Sequence, residues 1–166
     1  MALIVSKVDL KISKTVDDLS LYPESNWYHD PDLSAVEGVL EKYWMDDGEG
    51  NIVEMLAGEK ALVDTGLLDK AKQQARAHMS LDCDDYVESN YRPSKQVYLV
   101  MRYCKAIQEK DTTKQDEVKL FVVWMESVYD YEDTKSTEIN ACKTAAAAEA
   151  VTWDFSQFNP TKPTSE

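Results

Sequence analysis

The chain has 166 residues, of which 43% are hydrophobic and 30% charged, a composition typical of a folded globular protein. Asp and Glu number 31 against 18 Lys and Arg, so the formal net charge is −13. This excess of acid argues against nucleic-acid binding, which needs clustered Lys and Arg, and against binding to an anionic membrane surface.

The N-terminal part has the patterns of β-structure. Apolar and charged side chains alternate over residues 2–12, which predicts a strand. Residues 13–32 are rich in Asp, Asn, Ser and Pro and are predicted to be a loop. Two short apolar runs, residues 42–45 and 52–55, flank a segment rich in Gly and Asp, and this arrangement predicts a β-hairpin of uncertain register.

Helical periodicity begins after the hairpin. Residues 57–79 carry apolar side chains four residues apart, which predicts a helix. Ser80, followed by three aspartates, has the pattern of a new helix start, and Pro93 is predicted to interrupt that second helix. Residues 94–108 then resume as a helix, whose amphipathic stripe consists of Val97, Val100, Met101, Cys104 and Ile107.

Two further helices are predicted towards the C-terminus. Residues 118–129 have a helical stripe, although the run 118–124 is also β-prone and a strand there is the alternative. Residues 137–151 include four consecutive alanines and are predicted to be helical. Residues 152–158 alternate aromatic and polar side chains, as in a short strand or docking segment, and Pro160 and Pro163 then predict an extended tail.

These elements predict an α+β fold in which a small β part, a strand plus a hairpin, precedes three or four helices. We expect a β-rich segment over residues 1–55, a helical domain over 56–151 and an extended tail over 152–166. Net charge divides along the chain, with −8 in residues 1–55, +1 in residues 56–110 and −6 in residues 111–166. Such runs are usually solvated faces; the sharper hypothesis is that the neutral middle contacts a partner.

Motifs for catalysis or metal binding are not found. The histidines, His29 and His78, have no second ligand at metal-binding spacing. Loops starting at Asp47 or Asp82 lack the Gly and Glu that an EF-hand needs at its positions 6 and 12. The five glycines form no phosphate-binding pattern, and no serine lies in a nucleophile elbow. We therefore expect no enzyme, no metal and no cofactor.

Compartment signals are also weak. The three cysteines, Cys83, Cys104 and Cys142, are widely spaced, which is typical of reduced thiols in an intracellular protein rather than of a disulfide framework. The N-terminus lacks the basic and apolar regions of a signal peptide. The longest apolar run, residues 120–125, is too short for a membrane span.

One stretch of the sequence has a motif pattern that is more specific than the features described above. It comprises Asp30–Val36 (DPDLSAV), Lys42–Trp44 (KYW), Asn51–Met55 (NIVEM), Glu59–Lys60 and Val63–Asp64. In pattern and spacing it resembles a module of small tailed-phage and viral structural or fibre-like proteins, which reads PDLSAV, KYWKV, a Gly-containing turn, VVEMT, EK and VD. The resemblance covers about residues 30–70, a quarter of the chain. It implies a hairpin that leads into a capped helix, with a packing role and no catalytic residues.

The chain departs from this module at the helix start. The module has a Thr there, which would cap the helix and form a capping box with the Glu three residues later. In this sequence Leu56 replaces the Thr, whereas Glu59 is in place. The exact helix start is therefore uncertain by a residue or two, and Leu56 is free to dock on a neighbour.

The resemblance implies a virion protein, made in the host cytoplasm, that serves as a fibre base, a decoration protein or an adaptor. Its expected partners are other virion proteins and further copies of itself, with no nucleic acid and no membrane. The alternative is a small acidic cytoplasmic regulator or inhibitor that binds a basic partner protein. Because aromatic side chains dominate interface energies, the predicted interface residues are the following: Trp27, Tyr28, Tyr43, Trp44, Trp153, Phe155 and Phe158.

Overall fold

The computed structural model describes residues 1–159 and shows the α+β class that the sequence predicts. A small β part, made of two sheets, precedes four helices, of which three are long. The chain divides into two compact units between Gly66 and Leu67, and each unit has its own core.

The first sheet has three antiparallel strands in the order β2-β1-β3. The strands are β1 (Ala2–Ser6), β2 (Ser13–Val16) and β3 (Trp27–His29). The predicted strand over 2–12 is therefore too long, because the Ser6 hydroxyl accepts the N–H groups of Val8 and Asp9, both at 3.2 Å, and turns the chain. The prediction of a loop over 13–32 is wrong in part, since two strands lie there.

The second sheet is the predicted hairpin. Its strands are β4 (Trp44–Asp46) and β5 (Ile52–Glu54), with Met45 opposite Val53. Gly48 and Gly50 have φ angles of +83° and +96°, which side chains with a Cβ rarely adopt, and they close the connecting loop. The core of the first unit consists of Val5, Tyr28, Val36 and Ile52.

Helix α1 (Ala57–Asn90) is one continuous helix, and the predicted break at Ser80 is wrong. Met79, Cys83 and Val87 are buried at four-residue spacing and prolong the stripe that starts at Ala71. No Gly or Pro follows Gly66 until Pro93, so nothing in the backbone ends the helix at Ser80. The packing of this stripe outweighs the local start signal.

Helices α2 (Pro93–Glu109) and α3 (Thr112–Ala141) follow. Pro93 does not merely interrupt a helix but begins α2 at its first position, where a missing N–H costs nothing. The Asp111 carboxylate accepts the Lys114 N–H at 3.1 Å and caps α3. Residues 118–124 are helical, so the strand alternative is wrong.

Only part of the alanine-rich segment forms its own helix, α4 (Ala145–Glu149). The backbone is extended at Cys142, and the Thr144 hydroxyl then caps α4, which divides the predicted helix over 137–151. A single 3-10 turn, Phe155–Gln157, replaces the strand considered for 152–158. The rest of the predicted tail, with Pro160 and Pro163, lies outside the described residues. The core of the second unit consists of Met79, Cys83, Val87, Tyr91, Leu99, Val118, Phe121, Trp124, Val128, Ile139 and Phe155.

Candidate interaction surface

The most apolar exposed surface of the second unit lies on α2. Met101 is 67% exposed, Val97 59% and Ile107 50%, and Val100 and Cys104 on the same side are exposed as well. These five side chains occupy positions i, i+3, i+4, i+7 and i+10 and so share one side of the helix. We call this surface the α2 outer face.

The α2 outer face is the amphipathic stripe that the sequence predicts on this helix, and the structure leaves it exposed. The apolar part of α2 spans more than half of its circumference, and α3 covers a different portion of it. Leu99 and Ala106 are buried, and the Gln115 side chain of α3 donates to the Ala106 carbonyl at 3.0 Å. Arg102 pairs with Glu117 of α3 at 2.7 Å on that covered side. One neighbouring helix cannot cover so wide an apolar arc.

The exposed side chains of the α2 outer face would stabilise a complex if a partner buried them. Burying a Val, Ile or Met side chain contributes about 1.5–3 kcal/mol, so a partner on the α2 outer face gains several such contributions. Isolated exposed apolar residues are common on proteins, whereas a contiguous stripe typically marks an interaction site.

A groove of about 780 Å³ borders this face. It is lined by α2 and by Lys114 at the start of α3, and its walls include Met101 and Lys105. The Asp111 carboxylate accepts a hydrogen bond from the Lys114 ammonium, 2.9 Å away, and this bond raises the pKa of the lysine. The groove thus has apolar side chains such as Met101 in its lining and the Lys114–Asp111 ion pair at its edge.

The basic character extends along the whole α2 region. Residues 91–119 contain seven Lys and Arg against four Asp and Glu, a net charge of +3. The remaining residues contain 11 Lys and Arg against 27 Asp and Glu, a net charge of −16. An apolar face with basic surroundings therefore interrupts an otherwise acidic chain.

Four of the aromatic residues predicted to form an interface lie in the first unit. Tyr28 is buried and its hydroxyl donates to the Asp46 carboxylate; burial is the main cause that raises its pKa to about 12. The Trp44 indole donates to the Val39 carbonyl at 3.0 Å and packs on the core. Tyr28 belongs to the core of its own unit, and an interface role for it stays a prediction.

The other two, Trp27 and Tyr43, are partly buried. Trp27 meets Tyr22 edge to face at 5.3 Å. The Tyr43 hydroxyl donates to the Asp64 carboxylate at 2.9 Å, and the ammonium group of Lys42 lies 4.5 Å from its ring centre. An interface role for Trp27, Tyr43 and Trp44 stays a prediction.

The three C-terminal aromatics bind within the second unit. Phe155 is only 5% exposed and stacks on Tyr86 with ring centres 6.2 Å apart, so it contributes to the core of this unit, and its interface role stays a prediction. Trp153 and Phe158 are partly buried and pack against the same core. The predicted docking segment thus docks on its own chain, and the contacts of Trp153 and Phe158 with a partner stay a prediction.

The sequence analysis placed the residues of the α2 outer face on one helical stripe but did not include them among the predicted interface residues. The signal that separates a core stripe from a surface stripe is the width of the apolar arc. On α2 that arc includes Leu99, Tyr103 and Ala106 in addition to the five outer residues, more than a two-helix contact buries.

Within residues 1–159, no group of three or more His, Cys, Asp and Glu side chains is arranged to hold a metal ion. No helix in this described part is long and apolar enough to cross a membrane. In comparisons with known proteins, no family model, no curated protein and no solved structure matches the chain.

Proposed function

We propose that this chain is a non-enzymatic structural protein that acts through protein–protein contacts, as a homo-oligomer within a virion. The observation that carries the proposal is the α2 outer face, where five apolar side chains remain in solvent in a chain of net charge −13. A soluble chain gains by covering such a stripe with protein. A fibre base, a decoration protein or an adaptor has this requirement, since each works by binding other subunits.

The viral setting depends on the resemblance of residues 30–70. In this region β4 and β5 form a hairpin that leads directly into α1, as the module implies. The Glu59 carboxylate accepts the Leu56 N–H at 2.8 Å, which is the half of the capping box that the sequence retains. This geometry supports a packing role for the segment.

Quantitative mass spectrometry of particles purified from the source lysate tests the proposal. We expect this chain in many copies per particle, in a fixed ratio to the major capsid or tail protein. Its presence in the lysate together with its absence from purified particles would overturn the virion assignment.

A second function, the acidic regulator, is favoured by a different surface of the second unit. Burial is the main cause that raises the pKa of the Tyr129 hydroxyl, and the nearby charges of Asp84 and Glu88 on α1 and Glu132 on α3 add to it. Such a concentration of carboxylates fits a basic partner protein. The regulator predicts a complex whose affinity falls steeply with added salt, because exposed charge contacts are screened, whereas apolar assembly changes little.

A further inference from the structure

Residues 151–158, which we call the C-terminal segment, lie against α1 and α3 as a bound peptide would. At the start of the segment the Trp153 indole donates to the Asp82 carboxylate of α1 at 2.8 Å. At its end the Phe158 carbonyl accepts the indole N–H of Trp124 on α3 at 2.7 Å. The contacts are made with helices far away in sequence, so α1 and α3 form a receptor for this segment.

The C-terminal segment runs back along α3, towards the start of that helix. The Asp154 N–H donates to the Tyr131 hydroxyl at 3.3 Å, whereas Phe158 lies at Trp124, seven residues earlier on α3. The chain reverses its direction after the end of α3. Residues 142–144, which we call the hinge, begin this reversal with extended backbone, since ψ is 142° at the first of them and 152° at the last.

Local interactions favour a straight hinge. Residues 112–159 contain no Gly and no Pro, and the alanines of α4 are the best helix formers, which is why the sequence predicts one helix over 137–151. The bend leaves the last carbonyls of α3 and the first N–H groups of α4 without helical partners. The Thr144 hydroxyl accepts one of these, the Ala147 N–H, at 3.2 Å. Docking of the C-terminal segment therefore holds the hinge in a conformation that its own sequence opposes.

A straight hinge is incompatible with docking on the same chain. If α3 continued through the hinge, Val151 would follow Trp124 by 27 residues, about 40 Å along the helix axis. The seven residues from Val151 to Phe158 span at most about 25 Å. The Phe158 carbonyl would then be out of reach of its own Trp124, while a second copy offers the same receptor.

We propose that the hinge straightens when copies of this chain assemble, so that α4 and the C-terminal segment of each copy dock on α1 and α3 of the other. The inference rests on the proposed function in one respect, that the chain forms a homo-oligomer, and it names the segment that joins the copies. Exchange of an identical element closes a two-fold dimer and preserves each contact that the segment makes.

The exchanged dimer is expected to be weak in dilute solution. Its docking contacts equal those of the monomer, so only the hinge and the protein concentration favour it. Two copies with a net charge of −13 also repel each other. Salt at about 0.15 M reduces this repulsion, since it shortens the Debye length to about 8 Å. We therefore expect dimers at high concentration, the condition that a particle supplies.

Substitutions at Thr144 shift the hinge in opposite directions without touching the docking contacts. Thr144→Ala removes the cap of α4 and favours a straight helix, whereas Thr144→Gly keeps most of the capping effect and disfavours the helix. Ala exceeds Gly in a helix interior by a factor of about five, and a dimer contains two hinges. The dimer dissociation constant of Thr144→Ala should therefore be about 25-fold lower than that of Thr144→Gly.

Sedimentation velocity of the full chain from low to high micromolar concentration measures these constants, after incubation until the masses stop changing. We expect the wild type to move from 18.9 kDa towards twice that mass, with a constant between those of the two variants. Monomers at each concentration in both the wild type and Thr144→Ala would overturn the proposal. Equal constants for the two Thr144 variants would also overturn it.

The matched controls are Thr134→Ala and Thr134→Gly. Thr134 is exposed on α3 and helical whether the hinge is bent or straight, so these two variants should dimerise equally. A difference as large as that at Thr144 would contradict a specific role of the hinge.

Photocrosslinking between isotope-labelled copies tests the exchange itself. Phe158 is partly buried, with its ring centre 5.3 Å from that of Tyr131, and its carbonyl is unchanged when p-benzoylphenylalanine is incorporated at this position. Unlabelled and ¹⁵N-labelled chains are mixed, equilibrated at high concentration and irradiated, and the dimer is isolated. We expect crosslinks from position 158 of one isotope to α3 of the other. Dimers in which these crosslinks join only residues of one isotope would overturn the exchange.

Particle copy number is measured independently of these experiments. A chain found in particles that forms no exchanged dimer overturns this inference alone. An exchanged dimer that is absent from particles overturns the virion assignment alone.

Discussion

The indole Nε1 of Trp153 donates a hydrogen bond to Oδ2 of Asp82, 2.8 Å away, and joins α1 to a segment 71 residues later in the chain. The same indole meets the His78 ring edge to face at 5.6 Å. Nearby, the Phe158 carbonyl accepts the Trp124 indole N–H at 2.7 Å and the Tyr86 hydroxyl. The C-terminal segment is thus part of the helical core.

This arrangement predicts that Phe155→Ala strongly lowers the stability of the chain. Because Phe155 is buried against Tyr86 and Tyr131, removing its ring should lower the free energy of unfolding by about 3–5 kcal/mol. Urea titration followed by circular dichroism measures it. Thr152→Ala, at an exposed neighbouring position, should change stability little. Equal stability of the Phe155 variant and the wild type would show that the segment does not support the core.

A substitution at Tyr91 is predicted to stabilise the protein rather than destabilise it. It is 4% exposed, and its hydroxyl finds no hydrogen-bond partner among the described residues, while its ring packs on Phe121 at 4.7 Å. An unpaired buried hydroxyl is costly, so Tyr91→Phe should raise the free energy of unfolding by about 1 kcal/mol. Tyr86→Phe is the control, since its hydroxyl is bonded and its loss should destabilise. A less stable Tyr91→Phe variant would mean that the hydroxyl has a partner.

A substitution at the start of α1 should increase the stability of the chain. Leu56 occupies the N-cap position, is 74% exposed and offers no side-chain oxygen, although Glu59 already accepts its N–H. Leu56→Thr supplies the missing half of the capping box and should stabilise the chain by about 0.5–2 kcal/mol. Leu56→Ala, which removes the apolar side chain without supplying an oxygen, should give no such gain. Thermal unfolding distinguishes the two, and a lower midpoint for Leu56→Thr would indicate that Leu56 makes a contact worth more than a cap.

The Tyr28–Asp46 pair predicts pH dependence at both extremes. The Tyr28 hydroxyl and the Gly48 N–H bond the Asp46 carboxylate and lower its pKa, so its contribution is present above about pH 4 and is lost as pH falls through that lowered value. Burial, with the Asp46 bond, raises the Tyr28 pKa to about 12, so that contribution is full below about pH 10 and is lost as pH rises towards 12.

Asp46→Asn isolates the acidic part of this effect. Urea titrations of wild type and variant should show a stability difference at about pH 6 that shrinks as pH is lowered towards about 2, because the wild-type carboxylate is then protonated. A difference that stays constant with pH would show that ionisation of Asp46 does not contribute.

Several elements could be predicted from the sequence because local patterns decide them. The hairpin followed from two apolar runs around Gly48 and Gly50, and the start of α2 followed from the position of Pro93. Continuity of α1 through Ser80 could not be predicted, because burial of Met79 and Cys83 against distant residues decides it. Local start signals cannot report such contacts.

The orientation of α2 could not be predicted from local sequence patterns either. Periodicity places Val97, Met101 and Cys104 on one side of α2 but cannot say which side meets α3. Conversely, aromatic residues near a Pro-rich terminus are typical of an interface, yet Phe155 fills the core of its own unit. Orientation depends on partners that are distant in sequence.

The most direct measurement is the alkylation rate of Cys104 in purified particles and in the free native chain. Cys83 is fully buried, and burial with the nearby Glu132 and Asp84 charges raises its thiol pKa to about 12, so it should not react. If other subunits cover the α2 outer face, Cys104 should be protected in the particles and react faster in the free chain. Equal Cys104 rates in the two states would contradict assembly through this face.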